Sequence, residues 1–316
     1  MNYTFYLVFA IFSAFMALFL SEAMGAFQML FNWEKSNSKV ISYITPVWEI
    51  TGTFAAFFVV AADFAFPKII IPLASIYAGE IMVFLIFFVA RNATFVVGEF
   101  VSSRGYMTRK NMFKAYSIVT LFIGFVALLV VGGIIGSDGV SIVSMSFSPV
   151  AWFLNPSSYI LILSAVFLIA GLSYVFYDTG NRSKSAIFSL LGIVFGGIAF
   201  YLLNSAVFSV LIIIPVVLIV IPFILSYIRK ISPILKNKAF LVSWVALDVF
   251  TLNFLVYPTA FKGAINVQSV TTSGPMDTAF FIITAFGLVL LLALFAVYGK
   301  AVKNSRNMKK MENITE

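Results

Sequence analysis

The sequence contains no cysteine and no histidine among its 316 residues. Without cysteine, the chain itself can form no disulfide, no thiolate nucleophile and no iron–sulfur cluster. Without histidine, it lacks the usual haem ligand and the side chain that most often transfers protons near neutral pH. Methionine remains as an axial haem ligand, but a haem held by methionine alone would be unusual. This chain is therefore expected to bind no haem or metal, and any redox cofactor is expected on another subunit.

Charged residues are also scarce, at 10% of the chain, whereas 62% of the residues are hydrophobic. A soluble domain averages roughly 45–50% apolar and about 25% charged residues. This composition excludes a cytosolic enzyme, a disordered tail and a nucleic-acid-binding domain, and it predicts an integral protein of the lipid bilayer. The apolar runs are much longer than a barrel strand and do not alternate, which excludes an outer-membrane barrel.

The apolar runs and their breaks predict one all-α, polytopic membrane domain over residues 1–316, with nine transmembrane helices. The predicted spans are 4–30, 43–66, 69–99, 113–136, 158–177, 185–203, 206–228, 239–260 and 277–299. Helices 1–4 thus occupy about 4–136, helices 5–9 about 158–299, and residues 300–316 form a tail. The sixth and seventh spans are divided only at Leu203-Asn204-Ser205. A turn is required there because forty helical residues would extend about 60 Å, twice the thickness of a bilayer core.

The basic residues predict the orientation of the chain. All but three of the 20 lysines and arginines fall on one side of the nine predicted spans. Lys68 and Lys262 fall on the other side, and Arg91 lies within a span. Basic residues accumulate on the cytoplasmic side of membrane proteins. We therefore predict a multi-pass protein of the cell membrane with its N-terminus outside and its C-terminal tail in the cytoplasm.

Four ionisable residues fall in the inner half of the first three predicted spans. They are Glu22, Glu49, Arg91 and Glu99. Ionisable groups at membrane depth are costly, so they usually face the protein interior, where they form pathways or pair with one another. One interpretation is a proton or ion path from the inner side. The other is a static ion pair of Arg91 with Glu49 or Glu99 that fixes helix packing. The residues alone leave both interpretations open.

Two further acids, Glu80 and Asp248, are predicted near the middle of the membrane. Neither has an obvious basic partner at its depth. Each could extend a proton path or could serve as a neutral hydrogen-bonding group between helices. Both alternatives remain open from the sequence.

Short motifs along the whole chain resemble subunit II of cytochrome bd-type quinol oxidases. The matching segments are Ser21-Glu22-Ala23, Thr45-Pro46-Val47-Trp48-Glu49, Arg91 with Gly98-Glu99-Phe100, Phe153-Leu154-Asn155-Pro156, Val256-Tyr257-Pro258 and Ser273-Gly274-Pro275. They keep the order and spacing of that family. The chain departs from it at Ile50-Thr51-Gly52, where the family has Gly-Asn-Gln, and it lacks the second acid expected shortly after Glu22. It is identified as a divergent member.

The resemblance implies two four-helix bundles plus one peripheral helix, paired with a haem-bearing subunit I that oxidises quinol. In that family subunit II stabilises the pair and contributes a proton path from the inner side. The predicted proton path here comprises Glu49, Glu22, Glu99 and Glu80, with Trp48, Arg91 and Asp248 as structural or pathway partners. The competing interpretations are a proton-coupled membrane transporter and a purely structural assembly subunit.

Overall fold

A computed structural model describes residues 3–101, 105–141, 144, 146–179, 182–207, 210–227, 237–257, 261, 275 and 277–293. These residues are almost entirely helical. The helices are α1 (Tyr3–Phe31), α2 (Trp33–Ala65), α3 (Pro67–Ile76), α4 (Ala78–Val96), α5 (Arg109–Gly136), α6 (Pro149–Phe153), α7 (Pro156–Phe176), α8 (Arg182–Leu203), α9 (Ile213–Tyr227), α10 (Lys238–Val256) and α11 (Asp277–Ala293). A π-helical turn, Val97–Val101, extends α4, and a short hairpin of β1 (Val140–Ser141) and β2 (Ser146–Phe147) precedes α6.

Seven helices in the described part of the chain are long and apolar enough to cross a membrane. The prediction of a polytopic, all-α membrane protein is therefore confirmed. The predicted division after Leu203 is also found, since α8 ends there. The seventh and ninth predicted spans coincide with α9 and α11, which are shorter within the described residues. Positions 228, 258–260 and 294–299 and the tail 300–316 lie outside those residues.

Two predicted boundaries differ from the structure. The second helix begins at Trp33, ten residues before the predicted span, because hydropathy marks where a helix enters the membrane and a helix can extend beyond that point. The third predicted span is interrupted at Tyr77, which separates α3 from α4. The interruption lies two residues before Gly79, and glycine is among the weakest helix formers.

Helices α1 and α5 form the centre of the packing. One four-helix group contains α1, α2, α4 and α5, with α3 preceding α4, and a second group contains α7, α8, α9 and α10. The groups meet where α1 packs against α7 and α10 and where α5 packs against α7 and α8. The described contacts of α11 are with α1 and α2, through stacking of Phe280 on Phe64 and a hydrogen bond from Thr4 to the Asp277 carbonyl. This arrangement agrees with two bundles and one peripheral helix.

Candidate functional site: a buried ion pair and an exposed carboxylate

A fully buried ion pair joins α1 to α4. The Arg91 guanidinium donates to Oε2 of Glu22, and both side chains are 0% exposed. Arg91 also donates to the Asn92 side chain at 2.8 Å. The guanidinium carbon lies 5.4 Å from the ring centroid of Phe88 and 5.3 Å from that of Tyr116. The cation is therefore held by a carboxylate and by two aromatic rings.

Two hydroxyl groups complete the coordination of the Glu22 carboxylate. Tyr116 on α5 donates to Oε2, and Thr51 on α2 donates to Oε1. Glu22 thus accepts hydrogen bonds from α2, α4 and α5 at one point. The arrangement pairs the Glu22 carboxylate with the Arg91 cation and ties the four helices of the first group together.

The close approach of α1 and α2 near this pair depends on Gly25. A Cβ atom added there would lie 2.8 Å from Cδ1 of Ile44, 2.8 Å from the Tyr177 hydroxyl and 2.9 Å from Cγ1 of Val40. The Tyr177 hydroxyl instead donates to the Ser21 carbonyl at 2.9 Å. A small residue one turn after Ser21 therefore lets α2 and α7 reach the helix that carries Glu22.

The predicted partner of Arg91 is wrong. The static alternative paired Arg91 with Glu49 or Glu99, whereas the structure pairs it with Glu22. Glu99 lies in the π-helical turn after α4 and accepts from Arg109 at 2.5 Å, near the exposed start of α5. The sequence predicted that Glu22 and Arg91 lie in the same half of the membrane. It could not predict the rotation of each helix about its axis, and this rotation decides which acid meets Arg91.

Glu49 lies on the outward face of α2. It belongs to an exposed stripe with Thr53, Ala56 and Val60, spaced three and four residues apart. Thr51, two residues further along and about 200° around the helix, points inward to Glu22. Glu49 and Glu22 are therefore at a similar depth on opposite sides of α2. The Glu49 carboxylate therefore faces the lipid or a partner subunit that contacts this side of α2.

The other predicted site residues lie away from the Glu22–Arg91 pair. Trp48 is partly buried, with its ring centroid 4.8 Å from that of Phe95 on α4. Glu80 lies in the first turn of α4, just after the interruption at Tyr77, and is partly exposed. Asp248 lies in the middle of α10, in the second four-helix group. The structure thus brings Glu22 and Arg91 together and leaves Glu49, Glu80, Glu99 and Asp248 at separate positions.

Sequence reasoning missed the hydroxyl groups of the site. Tyr116 and Thr51 bind Glu22 directly, and the hydroxyls of Ser21 and Tyr43 are 2.9 Å apart beside it. The chain has 13 tyrosines and many serines and threonines, so residue type alone could not single these out. Among the described residues, no group of three or more acids could hold a metal ion. The site offers proton-accepting carboxylates and hydroxyl donors.

The fold is similar to that of a solved protein, although the sequence matches no known family. No protein-family model matches the sequence, and no curated protein is similar to it. The structure is similar to a chain in the structure of bd oxidase from Geobacillus thermodenitrificans, with a TM-score of 0.70 and 17% sequence identity. The similarity covers 95% of this chain and 97% of that chain. From end to end, the protein therefore has the fold of a bd oxidase chain.

Proposed function

We propose that this protein is the haem-free subunit II of a bd-type quinol:oxygen oxidoreductase. In this role it stabilises a haem-bearing subunit I and contributes a proton path from the cytoplasmic side. Three features support the proposal: a fold shared over 95% of the chain with a bd oxidase chain, the absence of histidine and cysteine, and the exposed carboxylate of Glu49. Quinol would be the substrate of the complex, with the haems on the partner.

The position of Glu49 is the observation that carries the proposal. Its carboxylate is exposed and lies six residues, about 9 Å, beyond residue 43, where the predicted span enters the membrane. An ionised carboxylate that faces lipid at membrane depth is costly. The cost falls when a polar subunit surface and water cover the carboxylate. Glu49 therefore supports both a partner on this face of α2 and a hydrated proton path along it.

Glu22 suits a different role from Glu49. Its carboxylate already neutralises Arg91 and accepts from Tyr116 and Thr51. Adding a proton to Glu22 would leave the Arg91 cation buried without its counter-ion, which is costly. We therefore propose that protons pass along the Glu49 face, with Glu99 and Glu80, at opposite ends of α4 and its π-helical extension, as further members of the path. Glu22 with Arg91 supplies a fixed charge pair beside the path. Trp48 positions this segment of α2 by packing on α4.

A purely structural assembly subunit is the second candidate. The closed network around Glu22 favours it, because every charge in that network is paired. The two candidates differ in what they require of Glu49. A proton path needs a group that gains and loses a proton, whereas a structural contact needs only size and hydrogen bonding.

Replacement of Glu49 by glutamine separates the two candidates. The complex should be purified in mild detergent from the native host, with the visible haem spectrum as the measure of assembly. We expect Glu49→Gln to preserve that spectrum and to lower quinol oxidation at least tenfold, about 1.4 kcal/mol in the limiting barrier. Glu49→Asp should retain partial activity. Thr53→Val, one turn further along the same exposed stripe, is the control and should turn over normally.

Other results would contradict the proposal in distinct ways. Wild-type turnover of Glu49→Gln would exclude Glu49 from the proton path and favour the structural subunit. Loss of the partner from the Glu49→Gln complex would show that the residue acts in assembly. A stable, colourless protein that purifies from its native host without a haem-bearing chain would exclude the oxidase itself.

A further inference from the structure

Asp248 is a partly buried residue whose carboxyl group the proposed proton path does not use. It is the eleventh of the 19 residues of α10, and therefore lies near the middle of the membrane. Its Oδ1 atom is buried and has no hydrogen-bond partner among the described residues. A buried polar atom without a partner in a folded protein calls for a specific explanation.

The contacts of its neighbours on α10 indicate which helices Asp248 faces. Trp244, one turn before it, donates from its indole to the Leu218 carbonyl of α9 at 2.7 Å. Val245 packs against the core cluster that contains Met24 of α1. Asp248 follows both residues by one turn, so it lies over the seam where α10 meets α1 and α9.

Among the described residues of the helices packed around this seam, no free cation faces it. Helix α9 has no charged residue, and the one charged residue of α1 is Glu22, which is paired with Arg91. Helix α7, which contacts α9 and α1, is also uncharged. The remaining titratable groups on these helices are tyrosine phenols near the helix ends. On α10 itself the cation is Lys238, ten residues or about 15 Å away along the axis.

An ionised Asp248 would therefore be an uncompensated negative charge at mid-membrane. A neutral carboxylic acid at the same place leaves at most a polar atom unpaired, which is much less costly than a buried charge without a counter-ion. Carboxyl groups within membrane domains that exchange protons are a recurrent component of proton relays. The geometry thus favours a proton bound at this position.

We propose that Asp248 carries a proton at neutral pH and stores protons inside the second four-helix group. The site takes a proton as its ligand, with the carboxylate oxygens as the binding atoms. The first half of the proposal concerns this chain alone. The storage role rests on the proposed oxidase function, since it requires a reaction that consumes protons.

Infrared spectroscopy of the purified complex tests the bound proton directly. A neutral carboxylic acid has a carbonyl stretch separate from those of carboxylates and amides, and this stretch shifts when H₂O is exchanged for D₂O. We expect such a band in the wild type at neutral pH, its loss in Asp248→Asn, and a displaced band in Asp248→Glu. Asp63→Asn, which changes an exposed carboxyl at the end of α2, should leave the band unchanged. Asparagine has nearly the shape of the neutral acid, so Asp248→Asn should also keep the melting temperature of the wild type.

Spectra recorded as the complex is reduced with quinol and reoxidised then test storage. We expect the Asp248 band to change during this cycle. Absence of the band in the resting wild type would overturn the whole proposal, and a band that stays constant through the cycle would overturn storage. If the complex does not oxidise quinol at all, the proposed function fails, while the resting spectrum still decides whether Asp248 binds a proton.

Discussion

At the scale of single residues, the burial of an ion makes its partner indispensable. Arg91 is 0% exposed, and its counter-ion Glu22 lies 69 positions earlier in the chain. An exposed pair in the same bundle, Lys110 with Glu34, joins side chains that are 46% and 79% exposed at 2.8 Å. Exposed ion pairs are typically worth 0.2–1 kcal/mol, whereas removing one member of a buried pair costs roughly 3–5 kcal/mol. Loss of one partner is therefore expected to cost much more stability in the buried pair than in the exposed pair.

We predict that Glu22→Gln destabilises the protein by about 3–5 kcal/mol, because it leaves the Arg91 cation buried without a counter-ion. The double variant Glu22→Gln with Arg91→Met removes both charges and should recover most of the loss. Glu34→Gln, which breaks the exposed pair, is the matched control and should change stability by no more than about 1 kcal/mol. Thermal unfolding in detergent measures all three variants.

A double variant no more stable than Glu22→Gln would contradict this explanation. It would mean that the network depends on the shape and hydrogen bonds of Glu22 and Arg91 together, including those to Tyr116 and Thr51, more than on charge compensation. A stable single variant would show that Arg91 finds another partner.

The rotation of each helix about its axis could not be predicted from the sequence. Hydropathy and helix length placed Glu22, Glu49, Arg91 and Glu99 in the same half of the membrane. Which of the acids meets Arg91 depends on helix rotation, and an apolar helix that is buried on one side and faces lipid on the other shows little periodic contrast. The pairing with Glu22, and the exposure of Glu49, therefore required the structure.

At the scale of elements, α7 and α8 show how small residues set helix distance. The Ser164 hydroxyl on α7 donates to the Gly192 carbonyl of α8, and the Ser185 hydroxyl on α8 donates to the Gly171 carbonyl of α7, both at 2.7 Å. In membranes, helices associate through close packing and such polar contacts, since lipid supplies no hydrophobic drive between them. The glycines that hydropathy treats as neutral thus define this helix pair.

We predict that Gly171→Ala weakens the α7–α8 contact. A Cβ atom there would lie 2.8 Å from the Ser189 backbone nitrogen and 2.9 Å from the Ser185 carbonyl oxygen, and backbone atoms cannot move aside without separating the helices. Overpacking of this kind typically costs 1–3 kcal/mol. Gly79→Ala is the control, since a Cβ at Gly79 meets nothing within 4 Å. Melting temperatures of the two variants should differ, and equal values would contradict the proposed role of Gly171.

Element boundaries were predictable only where the chain itself breaks the apolar pattern. The division after Leu203 was found because Asn204 and Ser205 interrupt an apolar stretch. The interruption at Tyr77 was missed, because the surrounding stretch is apolar overall and a single nearby glycine, Gly79, does not determine where a helix ends. Tyr77 instead packs with Phe147 and Trp152, whose centroids lie 5.8 and 6.3 Å away, and these belong to segments about 70 residues later. The position of this break therefore depends in part on distant contacts, which a local sequence pattern does not show.

At the scale of the whole molecule, topology follows from composition more directly than any contact does. Seven helices of the described chain meet the length and hydropathy of a membrane span. The direction of insertion depends on charge near the helix ends, which the sequence shows directly. The hairpin of β1 and β2 and the start of α8 lie at opposite ends of α7. Labelling at these two places therefore tests the predicted orientation.

We predict that the β1–β2 hairpin lies outside the cell and that the start of α8 lies in the cytoplasm. Because the chain has no cysteine, single Ser144→Cys and Ser183→Cys variants each carry one thiol, and the unmodified protein is the blank. Both serines are exposed. A membrane-impermeant maleimide should label Ser144→Cys in intact cells and Ser183→Cys only after the membrane is opened. The opposite pattern would place the N-terminus and the Glu49 face in the reverse orientation, and protons would then reach that face from outside. Labelling of both variants in intact cells would mean that α7 does not cross the membrane.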